Sequence, residues 1–542
     1  MTERSGMRDA EPGDEARGRP TTDSHATTMS NRSRRTFLRG VAVTGATTLG
    51  VLSSASSPAA AFHENYDTVV DVVEAGADNT GGKSITPVLE DLRADNTAFV
   101  FPEGRYYMDS QFRFTGFENI GFFGRDATIV PAPYHEFDGP RFRLFRLGVS
   151  YNPGQRLQFE GFDVDQTAAE TGIRVIETTI SQELQVRDIT IDGEHDSGTW
   201  GPGMFAISDP NGQGVVERFR APDGGRHADD TPNAGNLWRG PIGIEANTNV
   251  GHLEFRDCEL GGFPDNGLYA VNEEGTVIVD GGRFANSNGA NVRLGGQGSV
   301  IRDATVAVDR TRSYDNSQRG IRLENGDNLE ISDVDISISA PQPTSHAIAV
   351  MNTCSRSRVE GTSLELRGDD VNHGIVVSPR AGFSHIVDCD IVHETAGGYP
   401  LWIRETSKQD RVLVELTNIS GEAGVTSAGL RDGIRCGRDN CRFSHVRVDQ
   451  PGRNGVDRNG LVITGDDATI YRGEFHASQY PYVDQGNGNH IRNSAAESHT
   501  AGLEGIRLYP GIDGPELRVN HIVNGIDDLG ATDVVTWRNT LA

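Results

Sequence analysis

From about residue 242 onward the chain alternates apolar and polar residues in short runs, and the runs return at a near-constant spacing. One shape reads RGIRLENG at 319–326. It comes back as HAIAVMNT (346–353), HGIVVSPR (373–380), YPLWIRET (399–406), DGIRCGRD (432–439) and NGLVITGD (459–466), and precedes itself as NGLYAVNE (266–273) and ANVRLGGQ (290–297). Markers placed at the residue before each glycine-like position fall at 266, 290, 319, 346, 373, 399, 432 and 459, so the intervals are 24, 29, 27, 27, 26, 33 and 27 residues. A second set of alternating runs lies between them, among them HLEFRDCEL (252–260), NLEISDVDI (328–336) and SHIVDCDIV (384–392). Alternation with period two marks half-buried strands, and the Asn, Gly and Asp clusters between runs mark turns.

Short strands at this spacing cannot bury their apolar faces one at a time, which predicts a solenoid. A leucine-rich repeat needs a leucine and asparagine framework that is missing, and a propeller needs four strands per longer blade. The pattern therefore predicts an all-β, right-handed parallel β-helix, each coil adding a rung about 4.8 Å above the last. The N-terminal stretch TVVDVVEAGADNTGGKSITPVLEDLRADNTAFVFPEGRYYM (68–108) predicts a strand, a turn, a short capping helix and further strands. Thr86 is placed to cap that helix with Pro87 at its first position, and Ile85, Val88, Leu89 and Leu92 make one apolar stripe.

This stretch resembles the N-terminal segment of the pectate-lyase-like β-helix superfamily. It departs from it at Asp78-Asn79-Thr80-Gly81-Gly82, where relatives often carry Asp-Gly-x-x-Asp-Asp. The expected organisation is an export signal and leader over 1–61, an N-terminal cap over 62–116 and the β-helix over 117–542. A loop insertion at about 192–240 interrupts the repeat, and such insertions often wall a solenoid's binding face.

Composition narrows the setting. The formal charge is −27, and lysine occurs only at Lys83 and Lys408, so 48 of 50 basic residues are arginine. An acidic, lysine-poor surface resembles that of secreted proteins of salt-loving archaea, and it argues against a nucleic-acid partner. SRRTFLRG (33–40), an uncharged run VAVTGATTLGVLSSASS (41–57) and Ala59, Ala60 and Ala61 look like a twin-arginine export signal, with translation starting at Met1 or Met29. The run is too short and too rich in Ser and Thr to span a bilayer. The expectation is an extracellular protein, handled by the twin-arginine export machinery, with no stable membrane anchor. Five cysteines cannot form a complete disulfide framework, and buried free thiols are expected, with Cys258 and Cys389 at matching places in two repeats.

In each G-I-x-V strand the flanking apolar residues face the core, so the middle residue faces out. The outward column is then Tyr269, Arg293, Arg322, Ala349, Val376, Trp402, Arg435 and Val462, with Arg174 and Arg507 at similar places in distant rungs. Two positions on, the same face carries Glu324, Ser378 and Arg404, and the marker positions add Arg319, His346, His373 and Tyr399. Guanidinium groups bind carboxylates in a bidentate way and aromatic rings stack on sugar faces, so the face suits an acidic polysaccharide. β-Elimination from a uronate chain needs a carboxylate neutraliser, a base for the C5 proton and a donor to the leaving oxygen. Arg293 and Arg322 fit the first task, His346 or His373 the second, and Tyr269 or Tyr399 the third. The alternatives are a glycoside hydrolase using Asp369, Asp370 and Glu324, or a β-helix that binds carbohydrate without turning it over. GDDVNHG (368–374) resembles a polygalacturonase element, but two separate motifs are compressed there into one turn. Calcium could replace an arginine, as in relatives, yet no convincing ligand cluster is legible and Asp369-Asp370 comes closest.

Overall fold

The computed structural model describes residues 65–138, 142–233, 239–339, 345–405 and 410–542. The expected export signal and leader lies outside them. Each complete rung gives one strand to each of three sheets, through about 16 turns, and consecutive rungs pair in parallel. We call these the front, back and side sheets. The front sheet includes Asn266–Ala270, Arg319–Asp327, Asn372–Val377 and Leu401–Ile403; the back sheet includes His252–Arg256 and Phe383–Val387; the side sheet includes Glu259–Leu260 and Asp390–Glu394.

Inside the front sheet, Ile321 and Leu323, Ile348 and Val350, Ile375 and Val377, and Leu401 and Ile403 are buried in stacked pairs. Each such side chain contributes about 1.5–3 kcal/mol through loss of apolar surface from water. Between the back and side strands the chain turns on one residue with positive φ at Asp257, Asp303, Asp333, Asp388 and Gly361, and on the pair Gly281-Gly282 in another rung. The next residue points inward and is small or apolar, as at Cys258, Ala304, Val334 and Cys389. The matching cysteines are therefore corner residues of the core. All five cysteines are free and buried, and burial pushes the Cys258 and Cys389 thiols up to about 12.

The ladder starts at Thr68–Asp71, which pairs with Thr97–Phe101, so the N-terminal cap is made of the first rungs themselves. Helix α1 (Thr86–Leu92) occupies the place of a front strand in the first of them and packs on Phe112–Phe114 of the next. Its stripe behaves as expected: Ile85 and Leu89 are buried, while Val88 and Leu92 pack partly buried against the core. The cap itself differs. Ile85 is the N-cap residue, with no side-chain hydrogen bond, and Thr86 lies inside the helix. The Thr86 hydroxyl donates instead to the Ser110 carbonyl, 3.1 Å away on the following rung. Pairing to the ladder has displaced local capping.

At one corner the left-handed position is held by Leu416, φ 49°, with 57 % of its surface exposed. An ordinary L-residue in this region loses about 1–2 kcal/mol, whereas Asn tolerates it. Leu416→Asn is expected to stabilise the fold by about 1 kcal/mol, read as a raised thermal midpoint; an unchanged or lowered midpoint would count against the strain.

Candidate functional site

The predicted column exists. Tyr269, Arg293, Arg322, Ala349, Val376, Trp402, Arg435 and Val462 are ladder partners in that order, and Val483 then leads to Arg507. The markers pair as well, with Arg319 beside His346 and His346 beside His373. Arg174 does not belong to this column. It pairs with Arg143, and Glu177, three residues later, takes the middle position opposite Arg146. The string GIRV at 172–175 matches the repeat shape but enters its strand three residues out of phase, because Ile176 pairs with the inward Phe145.

The ten candidate residues fall into two groups along the face. In the first, Glu324 is buried between two arginines: Arg322 Nε donates to Oε2 at 2.8 Å and Arg293 Nε donates to Oε1. The Arg293 guanidinium also lies 4.7 Å from the centre of the Tyr269 ring. Both arginines expected to neutralise a substrate carboxylate are thus already engaged by a carboxylate of the protein. In the second group, His346, His373, Tyr399 and Trp402 form a continuous stack, with ring centres 5.4 Å apart for the two histidines and 5.1 Å for His373 and Trp402. The Arg404 guanidinium covers Trp402 at 4.8 Å. Arg319 adjoins this stack through His346.

His373 is 5 % exposed, and its Nδ1 accepts a hydrogen bond from the Tyr399 backbone N–H at 3.1 Å. An amide can only donate, so Nδ1 carries the lone pair and the neutral ring holds its proton on Nε2. Burial, helped by the Arg404 charge, lowers its pKa to about 4. His373 is therefore neutral near pH 7 and offers a donor rather than a base. Of the two histidines, His346 is the one partly open to solvent.

A groove of about 650 Å³ opens beside the second group, lined by Arg380, Trp402, Arg404, Glu405 and Arg435 among others. Arg435 also borders a cavity of about 300 Å³ further down the face, with Tyr480, Arg507 and Tyr509. Tyr480 was legible: it follows the last marker, 459, by one more rung of 21 residues. Arg380 and Glu405 lie just past the strands Asn372–Val377 and Leu401–Ile403, at the end of the repeat shape where the residue type varies from rung to rung. The groove wall is held from beneath by Arg438, fully buried, which donates to the carbonyls of Ser378, Gly382 and Asp410 at 3.0–3.1 Å. Asp265, on the rung of Tyr269, is a further missed residue. Burial pushes its carboxyl up to about 6, while Arg293 and Arg239 oppose the shift. The carboxylates considered for hydrolysis do not converge. Asp369 is exposed and paired with Arg453 at 3.0 Å, and Asp369 and Asp370 precede the front strand two rungs from Glu324, which lies at the strand's other end. Among the described residues no group of three or more His, Cys, Asp or Glu side chains is arranged to hold a metal ion.

A family model described as "Right handed beta helix region" matches residues 242–419, the stretch that carries all ten candidates. The coil is a right-handed parallel β-helix. Comparison with curated proteins finds no match. Among solved structures, the chain is similar to the A-module of a mannuronan C-5 epimerase from Azotobacter vinelandii (9 % identity, 87 % of this chain and 99 % of that one, TM-score 0.32). It is also similar to the catalytic unit of an α-1,3-glucanase from Streptomyces thermodiastaticus (12 %, 90 % and 70 %, 0.31) and to a surface adhesin of Streptococcus pneumoniae (10 %, 87 % and 99 %, 0.31).

Three buried histidines set a pH dependence. Burial first, and nearby arginines second, lower His195 to about 3, His373 to about 4 and His393 well below its ordinary value. Their folded pKa values lie below the unfolded value of about 6.5, so between the two the unfolded chain binds more protons. Stability is then full above about pH 6.5 and falls as the pH drops toward 4. Thermal midpoints across this range are expected to show the fall, and His373→Gln to make it shallower; a slope unchanged by the substitution would remove His373 from the account.

Proposed function

We propose that the protein is an exported lyase that binds an acidic, uronate-containing polysaccharide along its front face and cleaves it by β-elimination. The observation that carries this reading is the groove in which Trp402, Arg404 and Arg435 adjoin the stack of His346, His373 and Tyr399. Trp402 offers a ring face to a sugar. Arg404 has no carboxylate partner among the described residues, which makes it the substrate-carboxylate ligand in place of Arg293 and Arg322. Arg435 assists, although its Nη1 also donates to Asp432 Oδ2 at 3.1 Å.

In this mechanism His346 takes the C5 proton while Arg404 stabilises the charge that grows on the carboxylate. The C4–O4 bond then breaks, the C4=C5 double bond forms and the leaving oxygen takes a proton from Tyr399. Burial, reinforced by the Asp432 charge, raises the Tyr399 pKa and keeps its hydroxyl protonated. His373 orients the stack through its bond to the Tyr399 backbone. The wider reading is a pectate-lyase-like protein of the secreted haloarchaeal type.

A second reading, hydrolysis, is favoured by one observation. Burial raises the Asp265 carboxyl to about 6, and the charge of Glu245, on the adjoining rung opposite Tyr269, adds to the shift.

Incubation of the mature protein with a panel of acidic polysaccharides at high salt separates the readings. New ultraviolet absorbance from an unsaturated uronate is expected, with His346→Gln slowing kcat by about 10²–10⁴-fold and Arg404→Ala raising KM. Reducing ends without that absorbance, abolished by Asp265→Asn, would replace the lyase with a hydrolase. Binding without either product would leave a carbohydrate-binding protein. Export has its own test: replacing Arg34 and Arg35 together by Lys is expected to retain the protein inside the cell, and unchanged secretion would refute the twin-arginine route.

A further inference from the structure

A separate cavity of about 430 Å³ opens on the outer face of the back sheet, lined by Tyr66, Asn119, Arg156, Gln158, Glu183 and Gln185 among others. It shares no residue with the front groove and lies on a different sheet. Three consecutive rungs supply its floor. Asn119, Arg156 and Glu183 are ladder partners in one column, and Gly121, Gln158 and Gln185 in the next.

Its wall comes from the chain just ahead of the first strand. Tyr66 is 6 % exposed and packs against Ala98 and Phe123, its ring meeting that of Phe123 edge-on at 5.9 Å. Gly121 makes room for it, since a Cβ there would fall 2.6 Å from the Tyr66 hydroxyl oxygen. The Asn119 side chain pins the segment by donating to the Asn65 carbonyl at 2.8 Å. The hydroxyl is thus held in a fixed place.

Elsewhere on the back sheet the outward groups close on one another, as in Arg187 with Glu217 at 3.3 Å, Arg302 with Asp280 at 2.6 Å and Arg358 with Glu360 at 2.5 Å. Around Tyr66 they do not. Arg156 and Glu183 are ladder partners, yet neither makes an ion pair among the described residues. The Tyr66 hydroxyl reaches Gln158 Oε1 only at 3.5 Å, where an ordinary O–H···O bond is about 2.7–2.8 Å. Burial, reinforced by the charges of Glu160 and Glu183, raises its pKa, so the hydroxyl keeps a proton to donate. A buried hydroxyl without a full hydrogen bond is costly, and a ligand that accepts from it removes the cost.

The lining selects the ligand. One guanidinium and one carboxylate cancel, so the cavity calls for no net charge. Gln158 and Gln185 each spend one N–H on a neighbouring glutamate, at 3.1 and 2.6 Å, which fixes both amides and leaves a second N–H for a ligand. Amides both donate and accept, and so do sugar hydroxyls. Adjacent hydroxyls on a ring also match the paired polar atoms of a planar amide, guanidinium or carboxylate.

We infer that this cavity binds one uncharged hexose unit of a carbohydrate, its hydroxyls on the Tyr66 hydroxyl and on the amides of Gln158 and Gln185. The inference goes beyond the proposed lyase and stands whether or not the protein cleaves anything. It gives the protein a carbohydrate contact on a face away from its groove.

Saturation-transfer NMR titration of the full mature protein with the methyl glycosides of glucose, galactose and mannose tests it. At least one is expected to bind, and Tyr66→Phe and Gln158→Leu each to weaken it about 5-fold or more, with circular dichroism unchanged. Trp402→Ala is expected to leave this binding intact, and the corresponding uronate to bind no more tightly than the neutral sugar. Absence of binding by all three glycosides, full affinity in either Tyr66→Phe or Gln158→Leu, tighter binding of the uronate, or binding lost in Trp402→Ala would overturn the inference; the last result would place the sugar in the front groove and leave the lyase reading standing.

Discussion

Backbone pairing between consecutive rungs is the constraint on which everything else in this molecule rests. A rung has too little apolar surface to fold alone, so each strand is held by the strands above and below it. That pairing turns a variable spacing in sequence into a constant spacing in space. The interval between Trp402 and Arg435 is 33 residues and that between Tyr269 and Arg293 is 24, yet both pairs are direct ladder partners. Surplus residues leave at the corners, as at 421–431 ahead of Asp432–Cys436, and the columns stay aligned.

Arginine does two unrelated jobs here. On the front face it meets carboxylates and aromatic rings, as at Arg293, Arg322, Arg404 and Arg507. Inside the turns, Arg438 and Arg458 are fully buried and donate to backbone carbonyls, each tying several rungs together. Burial lowers Arg458 to about 10, which leaves it charged at neutral pH. The planar fork can satisfy several carbonyls at once where an ammonium group would hold fewer in fixed directions. Arginine content alone therefore says little about binding; the partner of each guanidinium decides it.

The front face is divided by its own internal chemistry. Glu324 binds Arg293 and Arg322 tightly enough to make that part of the column a structural network. One to three rungs further, aromatic rings cover His373 and leave Trp402 and Arg404 facing the groove.

Period-two alternation and the recurring markers were sufficient to specify the coil, its register and the identity of the outward column, because side-chain direction in a strand depends only on position. They also placed Cys258 and Cys389 at equivalent corners. Thr86 was misjudged because a ladder contact competed with helix capping, and Arg174 because a four-residue match cannot set phase where the rungs are irregular. What each outward residue touches was not legible at all. That Arg293 shares the carboxylate clamping Arg322, which nitrogen of His373 keeps the proton, and that Trp200 lies against Arg174 were decided by contacts between residues 26 to 31 positions apart, and such contacts exist only once the rungs have stacked.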